Sequence, residues 1–323
     1  MVKTPVALHV FNRPDHTVRV LDVLRKVKPK LLIVNADGPR SHMPDDKEKC
    51  LKVRALIETI DWDCEVIKNY SEINLGSFIR NSSGLDFTFK IVEEAIILED
   101  DCIPHVTFFP FCEQLLDRFK EDERISVIGG FNSFCRQNAN ESYFFSRYPM
   151  TWGWATWRRT WQLVDMNMNG WPEFKSTALK GVVPEYWYRR EWVRIFDAIH
   201  QKKRPNGWDY QLLLTGWMNN MVAITPNISL IENIGFGMDA THPGYEKNHN
   251  ARVVKKEIKF PLTHPVNIFR NNSMDKNVER YHLGRSNCHL ALLSLLQIIS
   301  AIKFNAISAV NFFRLSLKMH SKK

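Results

Sequence analysis

Apolar positions along the first 130 residues fall into two rhythms. Short apolar-rich segments at 6–11, 31–35, 65–69, 96–98 and 125–129 read as strands, and a run with no polar side suits a strand covered on both faces. Between them, 15–28, 45–60, 82–90 and 108–119 carry helical spacing, with Leu51, Ala55 and Leu56 expected on one face of the second. Such alternation predicts an α/β fold with a mostly parallel, doubly wound sheet. Ligands of these sheets sit outside the carboxyl ends of the strands. Phe11-Asn12-Arg13, Asp37 and Glu99-Asp100-Asp101 all fall at those ends.

The run Ile96-Ile97-Leu98 stops abruptly at the three acids. Adjacent carboxylates repel one another unless a cation or a hydrogen-bonding ligand joins them. Oxygen ligands suit Mg²⁺ or Mn²⁺, ions that commonly hold substrate phosphates as well. Taken alone, the tripeptide is either a metal–diphosphate site or a solvated acidic turn.

Beyond about residue 140 the alternation is lost, and nine of the ten tryptophans lie between Trp152 and Trp217. The cluster Trp152-Gly153-Trp154-Ala155-Thr156-Trp157 reads either as core packing or as a stacking floor for a sugar ring. From about Ser286 the chain turns apolar again, with Lys303 the one full positive charge in 289–313, and it ends in Arg314, Lys318, Lys322 and Lys323. Lys303 with Gln297, Ser300 and Asn305 argues against a membrane span. An amphipathic helix on an anionic membrane surface, or a helix packed on the core or on a second subunit, fits better.

Composition narrows the partners. With 44% hydrophobic and 24% charged residues, the 323-residue chain is not globally disordered. Its net charge of +9 calls for an anionic partner, and no nucleic-acid-binding signature accompanies it. The six cysteines show neither a CxxC pair nor zinc spacing. With an amino terminus that runs into a strand without a signal peptide, they fit a reducing cytoplasm.

An ordered set of motifs carries a resemblance. Phe11-Asn12-Arg13-Pro14, Ala36-Asp37-Gly38-Pro39, Asn74-Leu75-Gly76, Ile97-Leu98-Glu99-Asp100-Asp101-Cys102, Trp152 to Trp157, Trp208-Asp209-Tyr210-Gln211 and Asp239-Ala240-Thr241-His242 follow one another over about three quarters of the chain. Together they resemble the GT-A-fold nucleotide-sugar glycosyltransferases, and more narrowly the bacterial relatives of N-acetylglucosaminyltransferase I. The resemblance implies a nucleotide-sugar-binding half over 1–135, an acceptor-side half of the same domain over 136–285, and a helical tail over 286–323 that lies outside it.

It also implies roles. Asp101 would ligate Mn²⁺ or Mg²⁺ bridging the donor diphosphate, with Asp100 near the ribose or sugar and Glu99 near the nucleotide. Arg13 and Asp37 match positions that recognise uridine, although on residues alone Arg13 could be a surface arginine and Asp37 a turn aspartate. Gly76 belongs to a loop beside the nucleotide, Arg80 is a diphosphate contact, and Trp154 joins the donor-binding set. His242 would serve the metal or the diphosphate, on a loop that Gly235 and Gly237 let close, unless it is structural.

Asp209 matches the catalytic base of an inverting transfer. An apolar shell of Trp208, Tyr210 and Trp217 would make its carboxylate more basic, and an aspartate there could equally cap a helix starting at Tyr210.

The expectation is an inverting, metal-dependent transferase moving a sugar from a uridine diphosphate donor to a glycan or lipid-linked acceptor, in surface polysaccharide or lipopolysaccharide synthesis at the cytoplasmic membrane face. Two other readings stay open. A sugar-phosphate nucleotidyltransferase has similar topology, but usually carries an early Gly-rich loop where this chain has Phe11-Asn12-Arg13-Pro14. A non-catalytic carbohydrate binder would explain the tryptophans without needing Asp101 and Asp209.

Overall fold

The computed structural model describes residues 1–136, 139–202, 207–236, 250 and 253–283. The chain forms two compact units, Met1–Asp275 and Lys276–Lys323. Of the second, only the later part of one helix is described, up to residue 283.

The strands are β1 (Val6–Val10), β2 (Leu31–Ala36), β3 (Glu65–Tyr70), β4 (Glu94–Glu99), β5 (Cys102–Pro104), β6 (Ile125–Gly129), β7 (Tyr143–Ser146), β8 (Trp154–Trp157), β9 (Val222–Pro226) and β10 (Ile231–Asn233). The helices are α1 (Pro14–Val27), α2 (Asp46–Ile57), α3 (Gly76–Ile91), α4 (Phe108–Arg118), α5 (Arg158–Trp161), α6 (Trp171–Thr177), α7 (Leu179–Val182), α8 (Tyr186–His200), α9 (Asp209–Met218) and α10 (Asn272–His282).

Eight strands form one sheet in the order β3-β2-β1-β4-β8-β6-β9-β7, and β10 pairs with β5 beside it. β1 to β4, β6 and β9 run the same way, whereas β8 lies antiparallel between β4 and β6 and β7 lies antiparallel at the far edge. The sheet is therefore mostly parallel and α/β, as the alternation predicts. The two reversed strands come from the region where that alternation is lost.

Alternate residues of the central strands feed two cores. Val6, Leu8, Val10, Leu32, Val34, Ile96 and Leu98 pack with α1 and with the phenylalanines of α4. Ala7, Ala95 and Ile97 pack on the other face with Leu85 and Phe89 of α3, Trp154 of β8, and Trp208 and Leu212 around the start of α9.

α2 corrects the expected face. Cys50, Val53 and Ile57 are buried, while Leu51 is 57% exposed. The i, i+3, i+7 stripe of the buried set is the helical one. Leu51 and Ala55 are exposed and Leu56 is half-buried.

Candidate functional site

Register builds the floor of the site. Asn69, Asn35, His9 and Glu99 are aligned neighbours across β3, β2, β1 and β4, one position from the carboxyl end of β1, β2 and β3 and at the end of β4. This polar row lies on the α3 face, in line with the apolar residues two positions earlier. Asn35 Oδ1 accepts from Asn69 Nδ2 at 2.8 Å and from Arg80 Nη2 of α3 at 3.2 Å. Its Nδ2 donates to His9 Nε2 at 3.4 Å, and His9 Nδ1 in turn donates to Asn81 Oδ1 at 3.1 Å. Both ring nitrogens are thus satisfied by the neutral imidazole. Burial, helped by the Arg80 charge, lowers the His9 pKa to about 4. α3 comes this close because Gly84 lacks a side chain, since a Cβ there would stand 2.7 Å from His9 Cε1 and 2.9 Å from Asn35 Cγ.

The acids follow directly. Glu99 ends β4, and Asp100 and Asp101 make the turn into β5. Asp100 Oδ2 accepts the Phe11 amide at 3.2 Å, tying the turn to the end of β1. Arg13 Nη1 stands 3.0 Å from Asp101 Oδ2 and 3.6 Å from Asp100 Oδ1. Burial first, then the other acids, push Glu99 and Asp100 well above the ordinary carboxylate range, and the nearby Arg13 offsets this only in part. Asp209 also raises Glu99. Four carboxylates therefore share one field.

Asp37 has a different job from the one its turn position suggests. Its Oδ1 accepts the Gly38 and Leu75 amides, both at 2.9 Å, and its Oδ2 accepts the Gly76 amide and Asn74 Nδ2, both at 3.0 Å. All four lone-pair positions are taken by the protein. Asp37 fastens the 74–76 loop, and with it the start of α3, to the end of β2. Gly38 is required by the same fastening, because a Cβ would meet the Ile73 backbone at 2.5 Å.

The far wall is another ion pair. Asp46, buried at the start of α2, accepts Arg40 Nε at 2.6 Å, Arg40 Nη2 at 3.0 Å and Asn12 Nδ2 at 2.7 Å. Arg40 lies over the Phe11 ring at 5.4 Å, and its hydrogen bonds hold the Asp46 carboxyl down at about 2.

Between these walls runs a cleft of about 580 Å³, crossing the strand ends from β4 past β1 to β2. It is lined by six carboxylates (Asp37, Asp45, Asp46, Glu99, Asp100, Asp101) and four cations (Arg13, Arg40, Lys49, Arg80). Of the expected site residues, Arg13, Asp37, Gly76, Arg80, Glu99, Asp100 and Asp101 are brought together here.

Asp209 is placed just beyond this lining, in the first turn of α9. Trp208 takes the cap position, so Asp209 does not cap the helix. Its Oδ1 lies where a Cβ on Gly207 would be, at 2.1 Å. Trp154 departs from its expected donor contact. Its side chain has no exposed surface, and it stacks on Trp208 at 5.3 Å between β4 and β6. A ring in the central sheet offers no face to a ligand. What it does fix is Trp208, the residue before Asp209. His242, Gly237 and Asp239 lie outside the described residues.

The donor set fits a divalent ion shared with a substrate rather than one caged by protein. Among the described residues, no three His, Cys, Asp or Glu side chains converge in ligating geometry. Asp101 instead stands at the cleft wall against Gly235, where a Cβ would lie 2.2 Å from its Oδ2. A hard ion held by one or two carboxylates and completed by phosphate oxygens and water needs no more than this. The excess of carboxylates over cations around it supplies the charge.

His9, Asn35, Asn81, Arg40 and Asp46 were not singled out by motif. A signal existed for the first two, since a histidine and an asparagine interrupt apolar strands one step before their ends.

No family model matches the chain, and no curated protein does. Among solved structures, the crystal structure of S. aureus TarS 1-349 aligns over 71% of this chain and 59% of its own length, at 9% identity and a TM-score of 0.40. The chain thus spans less than two thirds of that structure. The mannosyltransferase PcManGT from Pyrobaculum calidifontis, in complex with GDP-Man and Mn²⁺, aligns over 68% of this chain and 70% of its own, at 10% identity and a TM-score of 0.35. At these values neither assigns a family.

Proposed function

We propose that the protein is an inverting, metal-dependent glycosyltransferase of the GT-A type, on the pattern of bacterial relatives of N-acetylglucosaminyltransferase I. One observation carries the reading. Four carboxylates crowd the carboxyl end of β4 with Arg13 the cation acting among them, beside a cleft of about 580 Å³ at the strand ends.

The donor diphosphate lies at Asp101 and Arg13, its nucleoside toward β2 and its sugar toward Asp209. A divalent ion held by Asp101 would neutralise charge on the departing diphosphate. Arg13 orients the phosphates, and Asp100 keeps the end of β1 in place through the Phe11 amide. Asp209 removes the proton from an acceptor hydroxyl. That oxygen bonds to the anomeric carbon as the bond to the diphosphate breaks on the opposite face, so nucleoside diphosphate leaves and the configuration inverts. A uridine diphosphate hexose is the donor that the motif set favours. A glycan or lipid-linked acceptor of surface polysaccharide or lipopolysaccharide synthesis suits the basic, apolar tail, which would rest on the anionic inner membrane face. Among the described residues no helix is long and apolar enough to cross a membrane.

The test is nucleoside diphosphate release from a panel of nucleotide sugars with Mn²⁺, before and after chelation. Asp209→Asn should lower turnover by about a hundredfold or more while leaving donor binding intact. Release of pyrophosphate from a nucleoside triphosphate would point to a nucleotidyltransferase instead. No manganese-dependent release from any donor would overturn the proposal.

A further inference from the structure

Arg80 is a buried cation without a partner of opposite charge. Its residue is 6% exposed, and its hydrogen bond runs from Nη2 to the neutral Asn35 Oδ1. Its Nε has no hydrogen-bond partner among the described residues. Asp37, the acid whose charge acts on it, has all its acceptor positions filled by the 74–76 loop and Gly38. A guanidinium does not shed its proton when buried, so the cost of desolvating it stands until a ligand supplies acceptors.

Position says which part of a ligand does so. This step rests on the proposed donor orientation. Arg13, not Arg80, is the arginine that acts on Glu99 and Asp100. Arg80 belongs to the β2 end of the cleft, bonded to Asn35, which is two residues before Asp37. With the diphosphate at Asp101, that end receives the nucleobase. At Arg80 itself the wall offers donors, since its guanidinium can only donate and the neighbouring Asp37 is saturated. An exocyclic carbonyl accepts from a guanidinium fork; an exocyclic amino group at the same ring position meets it donor to donor.

We infer that Arg80 is a specificity-determining residue that selects nucleobases with a carbonyl at pyrimidine C4 or purine C6, uracil or guanine, over those with an amino group at that position, cytosine or adenine. It reads the base rather than the diphosphate.

Two matched pairs test this, UDP against CDP and GDP against ADP, each measured by calorimetry with Mn²⁺ on the full chain. In at least one pair the carbonyl member should bind about tenfold more tightly. Arg80→Gln should reduce that ratio to near one. Arg80→Lys keeps the charge but loses the planar fork, and should reduce the ratio with less loss of overall affinity. Without ligand, Arg80→Gln should melt at or above the wild-type temperature, because it removes an uncompensated charge. Equal weakening of all four nucleotides would make Arg80 a phosphate contact and overturn the inference, as would an unchanged ratio or a lower melting temperature for Arg80→Gln. If the wild type binds none of the four, the site reading itself fails and this inference fails with it.

Discussion

His9 shows how a single residue can be read from its surroundings. Its two ring nitrogens are committed to Asn35 and Asn81 as donor and acceptor, and a proton on Nε2 would face an amide that is already donating. With a folded pKa of about 4 against 6.5 unfolded, the unfolded chain takes up the proton first as pH falls. His9 therefore removes stability between pH 6.5 and 4, by roughly 3 kcal/mol at most, and adds no further slope below that. Glu99 and Asp100 slope the other way, because their folded-state pKa values are raised and the native state gains protons first as pH falls. Chemical denaturation of wild type and His9→Gln across pH 7 to 4 separates the two. The difference between the proteins should grow steadily toward pH 4 in favour of the glutamine, and a constant difference would contradict the neutral assignment. Asp37 makes a related point. A motif can place an aspartate after a strand, but three of its four bonds reach residues 37 to 39 positions further on, and spacing in sequence does not carry that information.

Among elements, β4 was legible and α2 was misread. An apolar run ending in acids has few folds to choose from, and the strand and its cluster lie where that run ends. In α2 the exposed Leu51 and the polar-flanked Ala55 and Leu56 mimic a stripe, while the real one includes a cysteine. Val53→Ala should cost about 2 kcal/mol in urea denaturation by leaving a void against α1 and the sheet. Leu51→Ala should stay within about 0.5 kcal/mol, and the opposite ranking would restore the expected face. The reversed strands β7 and β8 were not legible at all. Their insertion depends on β8 finding both β4 and β6, a pairing between segments far apart in sequence. The central place of Trp154 was hidden for the same reason, since only the pairing shows it.

For the whole molecule, on the proposed function the ion pair between Arg13 and Asp101 would couple metal to nucleotide. Mn²⁺ alone would have to displace Arg13 from the Asp101 oxygen, whereas a diphosphate would give Arg13 a new partner and bring further oxygen ligands to the ion. Thermal melting should therefore show a small shift with Mn²⁺, a small shift with nucleoside diphosphate, and a shift with both that exceeds their sum. A ligand at a hundred times its dissociation constant adds about 2.7 kcal/mol, so the excess is measurable. Strict additivity would show that the two bind independently.

The crowded acids and the lone Arg80 have a consequence for anyone engineering this protein. They are buried ionisable groups that burden the fold by itself, so on the proposed function heat tolerance and chemistry pull in opposite directions at the same few positions. A campaign that screens variants on survival at high temperature alone would be drawn to Glu99, Asp100 and Arg80 first, and would arrive at robust, inert proteins. On the proposed function, screening in the presence of nucleotide and Mn²⁺ would reverse that pressure, because the same groups would then hold the ligand.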